Sequence, residues 1–197
     1  KQETANIAYH QTVDESYVEI YIIEVIIQSD VYAKTFKSIN HLLHKLIPHH
    51  CIVITKNDDD TIYNLGFATK SISKNSPSLR VIQKELFSDT INFENLEFID
   101  HLAYAKANKS DLRAFYNYYT QVAQNYNLMA LTQDFKLRNY DVIQQMIAVQ
   151  EEIQNYQTQI NLAVKTLNST TQMSDKVRIN SDIHALKQSI KALKDKL

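Results

Sequence analysis

Two glutamates stand inside the most apolar run of the chain. Glu19 and Glu24 belong to YVEIYIIEVIIQSD, residues 17–30, which has the composition of a β-strand. Successive side chains of a strand point to opposite faces, so positions 19 and 24 face opposite sides of the sheet. Without a bulge they cannot hold one metal ion together. We therefore interpret one as solvent-facing at the sheet edge and the other as the partner of a basic side chain such as Lys70.

The acidic residues also raise the question of a nuclease. Such sites hold Mg²⁺ between clustered carboxylates and use a lysine to polarise the attacking water. Glu19, Glu24, residues 58–60 and Lys70 supply these residue types, but Ala68 stands where an acid would be needed two residues before the lysine. The candidates for catalysis are thus Glu19, Glu24 and Lys70, and the missing spacing favours a chain that is not an enzyme.

Several histidines could bind a metal ion. His41 and His44 are three residues apart on a predicted helix, and His49, His50 and Cys51 follow closely. Zinc is bound by such ligands, but its signatures require fixed pairs, and here there is one cysteine and no HExxH motif. We predict no metal and no cofactor, with His41 and His44 as the candidate ligands if a metal were bound.

Aromatic and basic residues could bind nucleic acid. Tyr116 and Tyr118 lie off the apolar stripe of a predicted helix and could stack on bases. Lys187, Lys191 and Lys194 lie near the end of the last helix, where they could contact phosphates or simply form a solvated, basic helix end. We expect any contact with nucleic acid to be indirect.

Length and composition limit the classes of function. The 197 residues are 44% hydrophobic and 22% charged, with a net charge of -1, so no overall field draws the chain to phosphates or anionic lipid. The longest apolar run, residues 18–27, is shorter than the roughly 20 residues that cross a bilayer. The single cysteine suits a reducing cytoplasm. The chain begins at Lys1 and not at methionine, so we expect residues ahead of it.

The elements that must position these residues predict an α+β domain over residues 1–140. The first strand is apolar on both faces, which is typical of a central strand in a covered sheet. Ser29 or Asp30 is expected to cap the helix that follows, which ends before Pro48. The small mixed sheet is expected to have this covering helix and further strands at residues 50–55, 61–72 and 79–87.

Residues 141–197 predict an antiparallel helical hairpin. One apolar seam runs through Met146, Val149, Ile153, Tyr156, Ile160, Ala163 and Leu167, and another through Ile179, Ile183, Leu186, Ile190, Leu193 and Leu197. A coiled coil between two chains, giving a homodimer, is the alternative. A hairpin satisfies only one side of each helix, so the predicted partner-binding residues are the flanking Ile147, Leu162, Val164 and Val177.

The succession of EIYIIEVII, a helix ending in KLIPHH, the strand CIVIT, an acidic turn, IYNLGFATKSI and a charged coiled-coil tail resembles an uncharacterised bacterial family of domains of unknown function. Such genes often lie beside helicase and DNA-methyltransferase genes in restriction-like or phage-defence loci. Where family members carry an acid in the second strand, this chain has Thr55 and Lys56. The resemblance carries over no catalytic residue. It implies genomic context more than chemistry. Together with the two apolar seams, that context leads us to expect a non-enzymatic adaptor subunit that docks on a larger helicase or methyltransferase, with a DNA-binding or nuclease-like subunit as the alternative.

Overall fold

The computed structural model describes residues 7–74, 76–91 and 93–195, and it confirms the α+β fold. A short hairpin of β1 (His10–Gln11) and β2 (Ser16–Tyr17) precedes a four-stranded sheet. The strands of that sheet are β3 (Ile20–Ile27), β4 (His50–Asn57), β5 (Tyr63–Ser73) and β6 (Ser76–Phe87). The helices are α1 (Tyr32–Leu46), α2 (Leu96–Leu102), α3 (Leu112–Thr132), α4 (Tyr140–Ser169) and α5 (Met173–Lys194), with a 3-10 turn at Tyr104–Lys106.

The chain divides into two compact units. The first comprises Lys1–Asn127 and Phe135–Leu137, and the second comprises Leu128–Asp134 and Arg138–Leu197. The first unit holds the sheet, and the second holds α4 and α5. Within the described ranges, all of the helices α1 to α5 are too short or too polar to cross a membrane.

The sheet is mixed and has the order β3-β4-β5-β6. β3 and β4 are parallel and joined by α1, and the other neighbours are antiparallel. The prediction that the first strand is central was therefore wrong, because β3 lies at the edge of the sheet. Its apolar side chains reflect an edge that is partly uncovered, and Ile22 and Ile26 are 63% and 61% exposed.

Polar side chains fasten α1 to the sheet. The helix buries Tyr32, Asn40 and His44, whereas Leu46, which the sequence pattern places on the apolar face, is exposed. The Tyr32 hydroxyl donates a hydrogen bond to Oδ1 of Asn64 on β5 at 2.8 Å. The predicted cap is also absent, because Val31 occupies the N-cap position and no side chain caps the helix.

Gly66, the only glycine of the chain, allows α1 to approach β5 closely. A Cβ at this position would overlap the side-chain amide of Asn40, whose Oδ1 occupies that space. The Asn40 amide is itself held by a hydrogen bond from its Nδ2 to the carbonyl oxygen of Phe36, at 2.8 Å. The glycine is therefore required for space, since its φ is not positive.

In the helical unit, the described residues of the two predicted seams are buried or half-buried. Met146 and Ile160 on α4 and Ile183 on α5 are the most buried seam residues, and α4 and α5 pack against each other. Leu128, Ile143 and Met146 form a core cluster at the base of the unit. Leu197, the last predicted seam residue, lies outside the described residues.

We expect Gly66→Ala to lower the free energy of unfolding by about 1–3 kcal/mol, because the new methyl group forces the Asn40 amide out of its place. Urea denaturation measures the change. Asn40→Ala in the same chain removes the overlapping amide, so the double variant should lose less stability than the sum of the two single variants. Additive losses would contradict this account.

Candidate functional site

β3 begins at Ile20, so Glu24 lies within the strand, whereas Glu19, which was expected on the opposite face of the same strand, lies just before it. Glu24 lies 3.5 Å from Nζ of Lys56 on the neighbouring strand β4, so its basic partner is Lys56 and not Lys70. Glu19 accepts a 2.6 Å hydrogen bond from the hydroxyl of Tyr21. The two carboxylates therefore do not form one site.

Lys70 is a buried structural residue. Its Nζ donates hydrogen bonds to the carbonyl oxygens of Ile47 (2.7 Å) and His49 (2.6 Å), which follow the C-terminus of α1. These carbonyl groups lie just beyond the C-terminal end of α1, which favours positive charge, so the ammonium group holds the end of α1 against β5. Burial lowers the pKa of Lys70. The hydrogen bonds and the burial both explain Lys70 as a structural residue, and neither requires an attacking water or a metal-bound substrate.

The two candidate metal ligands do not share an environment. His41 is exposed, and its Nδ1 lies 3.1 Å from the carboxylate of Glu85 on β6. His44, one turn further along α1, is buried. Among residues 7–74, 76–91 and 93–195, no three His, Cys, Asp or Glu side chains are grouped so that they could hold one metal ion.

A second buried histidine lies at the start of β4. The ring of His50 stacks on Tyr17 with centroids 3.8 Å apart, and it meets Tyr116 edge to face at 5.0 Å. Neither ring nitrogen has a hydrogen-bond partner in the part of the chain that the structure describes. Burial and, to a lesser extent, the charge of Lys70 lower the pKa of His50 to about 3 and that of His44 to about 4. Both imidazoles are neutral in the folded chain at pH 7.

These lowered pKa values predict that acid destabilises the fold. Below about pH 6.5, the ordinary pKa of histidine, the unfolded chain binds protons that the folded chain excludes. The contribution of these histidines to the free energy of unfolding is therefore complete above that pH and falls as the pH drops towards 4. At about pH 5 each histidine should cost about 2 kcal/mol. We expect His50→Phe, which keeps the aromatic contacts, to halve the loss measured by urea denaturation between about pH 7.5 and pH 5. An unchanged loss in His50→Phe would contradict this assignment.

Tyr116 is not available to stack on a base. Its ring is buried, and its hydroxyl lies between two strands, where it accepts a hydrogen bond from the amide of Ala68 (2.8 Å) and reaches the carbonyl oxygen of Cys51 (3.2 Å). The tyrosine thus replaces a main-chain hydrogen bond between β4 and β5. Tyr118 is half-buried, with its hydroxyl 2.9 Å from Nδ1 of His101.

The three predicted lysines of α5 are exposed on one face of the helix. Lys187, Lys191 and Lys194 are spaced by four and three residues, which places them on one side. The end of a helix also favours positive charge, so their position alone is explained by the helix dipole.

The structure separates the four predicted partner-binding residues. Leu162 and Val177 are 66% and 61% exposed, and Val164 is also exposed. Ile147 is partly buried and packs against the cluster at the base of the helical unit. Leu162 and Val164 precede and follow the seam residue Ala163, so they lie on opposite flanks of α4.

Sequence reasoning missed the polar turn where β3 and β4 end. The Ser29 hydroxyl and amide donate to Oδ1 of Asp58 at 2.6 and 2.9 Å, and Nδ2 of Asn57 donates to the Ser29 hydroxyl at 3.0 Å. These hydrogen bonds from Ser29 hold the pKa of Asp58 below its ordinary value. Ser29, expected to cap α1, instead joins the ends of two parallel strands. Only the register of those strands could have revealed this.

The sequence matches a known protein family over most of its length. The family model described as Domain of unknown function (DUF4391) matches residues 1–190. No curated protein and no solved structure matches the chain.

Proposed function

We propose that this chain, which belongs to the DUF4391 family, is a non-catalytic adaptor subunit that docks on a larger protein through its helical hairpin. The observation that carries this proposal is the exposure of large apolar side chains on α4 and α5 after the seam between the helices is satisfied. Leu162, Met173 and Val177 are each more than 60% exposed. Exposed apolar side chains beside a packed helical seam are the usual anchors of helix-mediated recognition.

The geometry of the first unit supports the same reading. Glu19 and Glu24 contact different partners, Lys70 is bonded to main-chain carbonyls, and Tyr116 is buried between strands. Lys70 and Tyr116 thus have structural roles in the described fold. The function therefore rests on surfaces that are exposed, and the hairpin offers such surfaces.

The resemblance of the sequence supplies the kind of partner. Genes of similar domains lie beside helicase and DNA-methyltransferase genes, so we propose a helicase or methyltransferase of a bacterial restriction-like or phage-defence system as the larger protein. The single buried cysteine, Cys51, suits the cytoplasm, where such a complex would act.

The adaptor proposal predicts that charge on the hairpin abolishes docking. Leu162→Glu with Val177→Glu should reduce capture of the partner by about tenfold or more, equal to about 1.4 kcal/mol, because two apolar anchors become charged. Quantitative mass spectrometry after affinity purification of the tagged chain from its own host, with nuclease treatment, measures capture.

The matched control places the same charges at exposed polar positions of the same helices. Gln154→Glu with Ser181→Glu should leave capture unchanged. Equal capture by both variants, or a partner that is lost on nuclease treatment, would contradict docking through the hairpin.

A second candidate function is direct contact with nucleic acid, which the exposed lysine face of α5 favours. If Lys187, Lys191 and Lys194 bind phosphates, changing all three to Gln should weaken DNA binding and reduce the slope of log affinity against log salt by about one for each lysine. Fluorescence anisotropy with labelled DNA over a salt series measures both. Binding that is absent, or a slope that the variant leaves unchanged, would remove this candidate.

A further inference from the structure

The outer edge of β3 is a second surface that the proposed hairpin docking does not use. β3 pairs with β4 on one side, and among the described residues no strand lies on its other side. A free edge presents a row of main-chain N–H and C=O groups that can pair with another strand. The eight residues of β3 are IYIIEVII, and their register with β4 runs without a bulge from Ile20 to Ile27.

One face of the sheet is buried at β4 and exposed at the neighbouring strand β3. Ile52 on β4 is 5% exposed, whereas Ile22, which lies beside it in the parallel register, is 63% exposed. Ile26, four residues further along the strand, is also exposed on this face. Parallel strands are normally covered on both faces, so the exposed side of β3 has the composition of a buried surface.

The edge also lacks the features that keep edge strands apart. Natural sheets protect their edges with lysine, proline, bulges or inward-pointing charges. β3 contains no lysine, proline or glycine, and its one charged residue is Glu24. Because Nζ of Lys56 lies 3.5 Å from this carboxylate in the same chain, the charge at the centre of the strand is locally balanced.

The sequence of the strand indicates what pairs with it. Residues 21–27 read YIIEVII, which is nearly the same in both directions about Glu24. An antiparallel copy centred there sets Ile22 opposite Ile26 and Ile23 opposite Val25, with Tyr21 opposite Ile27. Every opposed pair is then apolar and mostly β-branched, except the central glutamates, and each of these brings its own Lys56.

We propose that the edge of β3 binds a second copy of this chain, with the two β3 strands antiparallel about Glu24 and the two sheets joined into one of eight strands. Such a contact is isologous, because each chain contributes the same residues, and it closes as a dimer without further growth. It satisfies the main-chain groups of both edges and covers Ile22 and Ile26 in both chains.

The first test is the mass of the full-length chain in solution. Sedimentation velocity over a series of protein concentrations should give a species of twice the 22.9 kDa chain mass. Ile22→Lys with Ile26→Lys should return it to one chain mass, since two charges would face each other across the joined edge. Leu42→Lys changes an apolar position on α1 that is 52% exposed; it is the control and should remain dimeric.

A cross-linking test checks the register and does not depend on losing an interaction. Directly opposed residues of antiparallel strands have Cα atoms about 4.5–5.5 Å apart, which is within the range that a disulfide spans. Glu24→Cys should therefore form a covalent dimer under mild oxidation, because residue 24 opposes its own copy. Ile22→Cys alone should not, but it should cross-link when mixed with Ile26→Cys. The native Cys51 is buried, which keeps the background low.

Three results would overturn the proposal. The first is a wild-type chain that remains at one chain mass at every concentration. The second is a dimer that Ile22→Lys with Ile26→Lys leaves intact, and the third is the absence of any disulfide in Glu24→Cys. In the second case, loss of the dimer in Leu162→Glu would assign the contact to the hairpin. Failure of this proposal leaves hairpin docking untouched, since capture of a different protein tests that separately.

Discussion

The contact between α1 and the sheet includes buried polar side chains, and the arrangement of the first unit depends on their partners. Oδ1 of Asn40 occupies the space that Gly66 leaves, and the Tyr32 hydroxyl donates a hydrogen bond to Asn64. Nζ of Lys70 donates hydrogen bonds to the carbonyl groups beyond the end of the helix. Each partner is costly to bury alone and acceptable when bonded. Apolar surfaces can slide over each other, whereas such pairs fix one position of the helix along the sheet.

The spacing of apolar residues along the sequence predicted much of the fold. The strands at β4, β5 and β6 and the two seams of the hairpin follow from alternation by two and from steps of three and four residues. The position of β3 did not follow, because a strand that is apolar on both faces looks the same at the centre of a covered sheet and at an edge made to be covered by another surface. Strand order depends on long-range pairing, which a local pattern does not contain.

The candidate site residues show the same limit. Parity placed Glu19 and Glu24 on opposite faces of one strand, but β3 begins at Ile20, so the argument does not apply to Glu19. The partner of Glu24 depends on the register between β3 and β4, which puts Lys56 beside it and leaves Lys70 on the other face. Burial was equally out of reach for Tyr116: its neighbours in sequence predict a helix, but only the packed fold places its hydroxyl between Cys51 and Ala68.

The parallel pairing of β3 with β4 has a consequence for how the chain is made. On the ribosome, IYIIEVII emerges before α1 and well before residues 50–57, which are its only strand partner in the described fold. During that interval an eight-residue apolar segment with one charge is free in the cell, and such segments bind chaperones or associate with one another. Glu24 is then the only charge that interrupts the segment. In the nascent chain it acts as a gatekeeper against aggregation, a role it holds before any sheet exists.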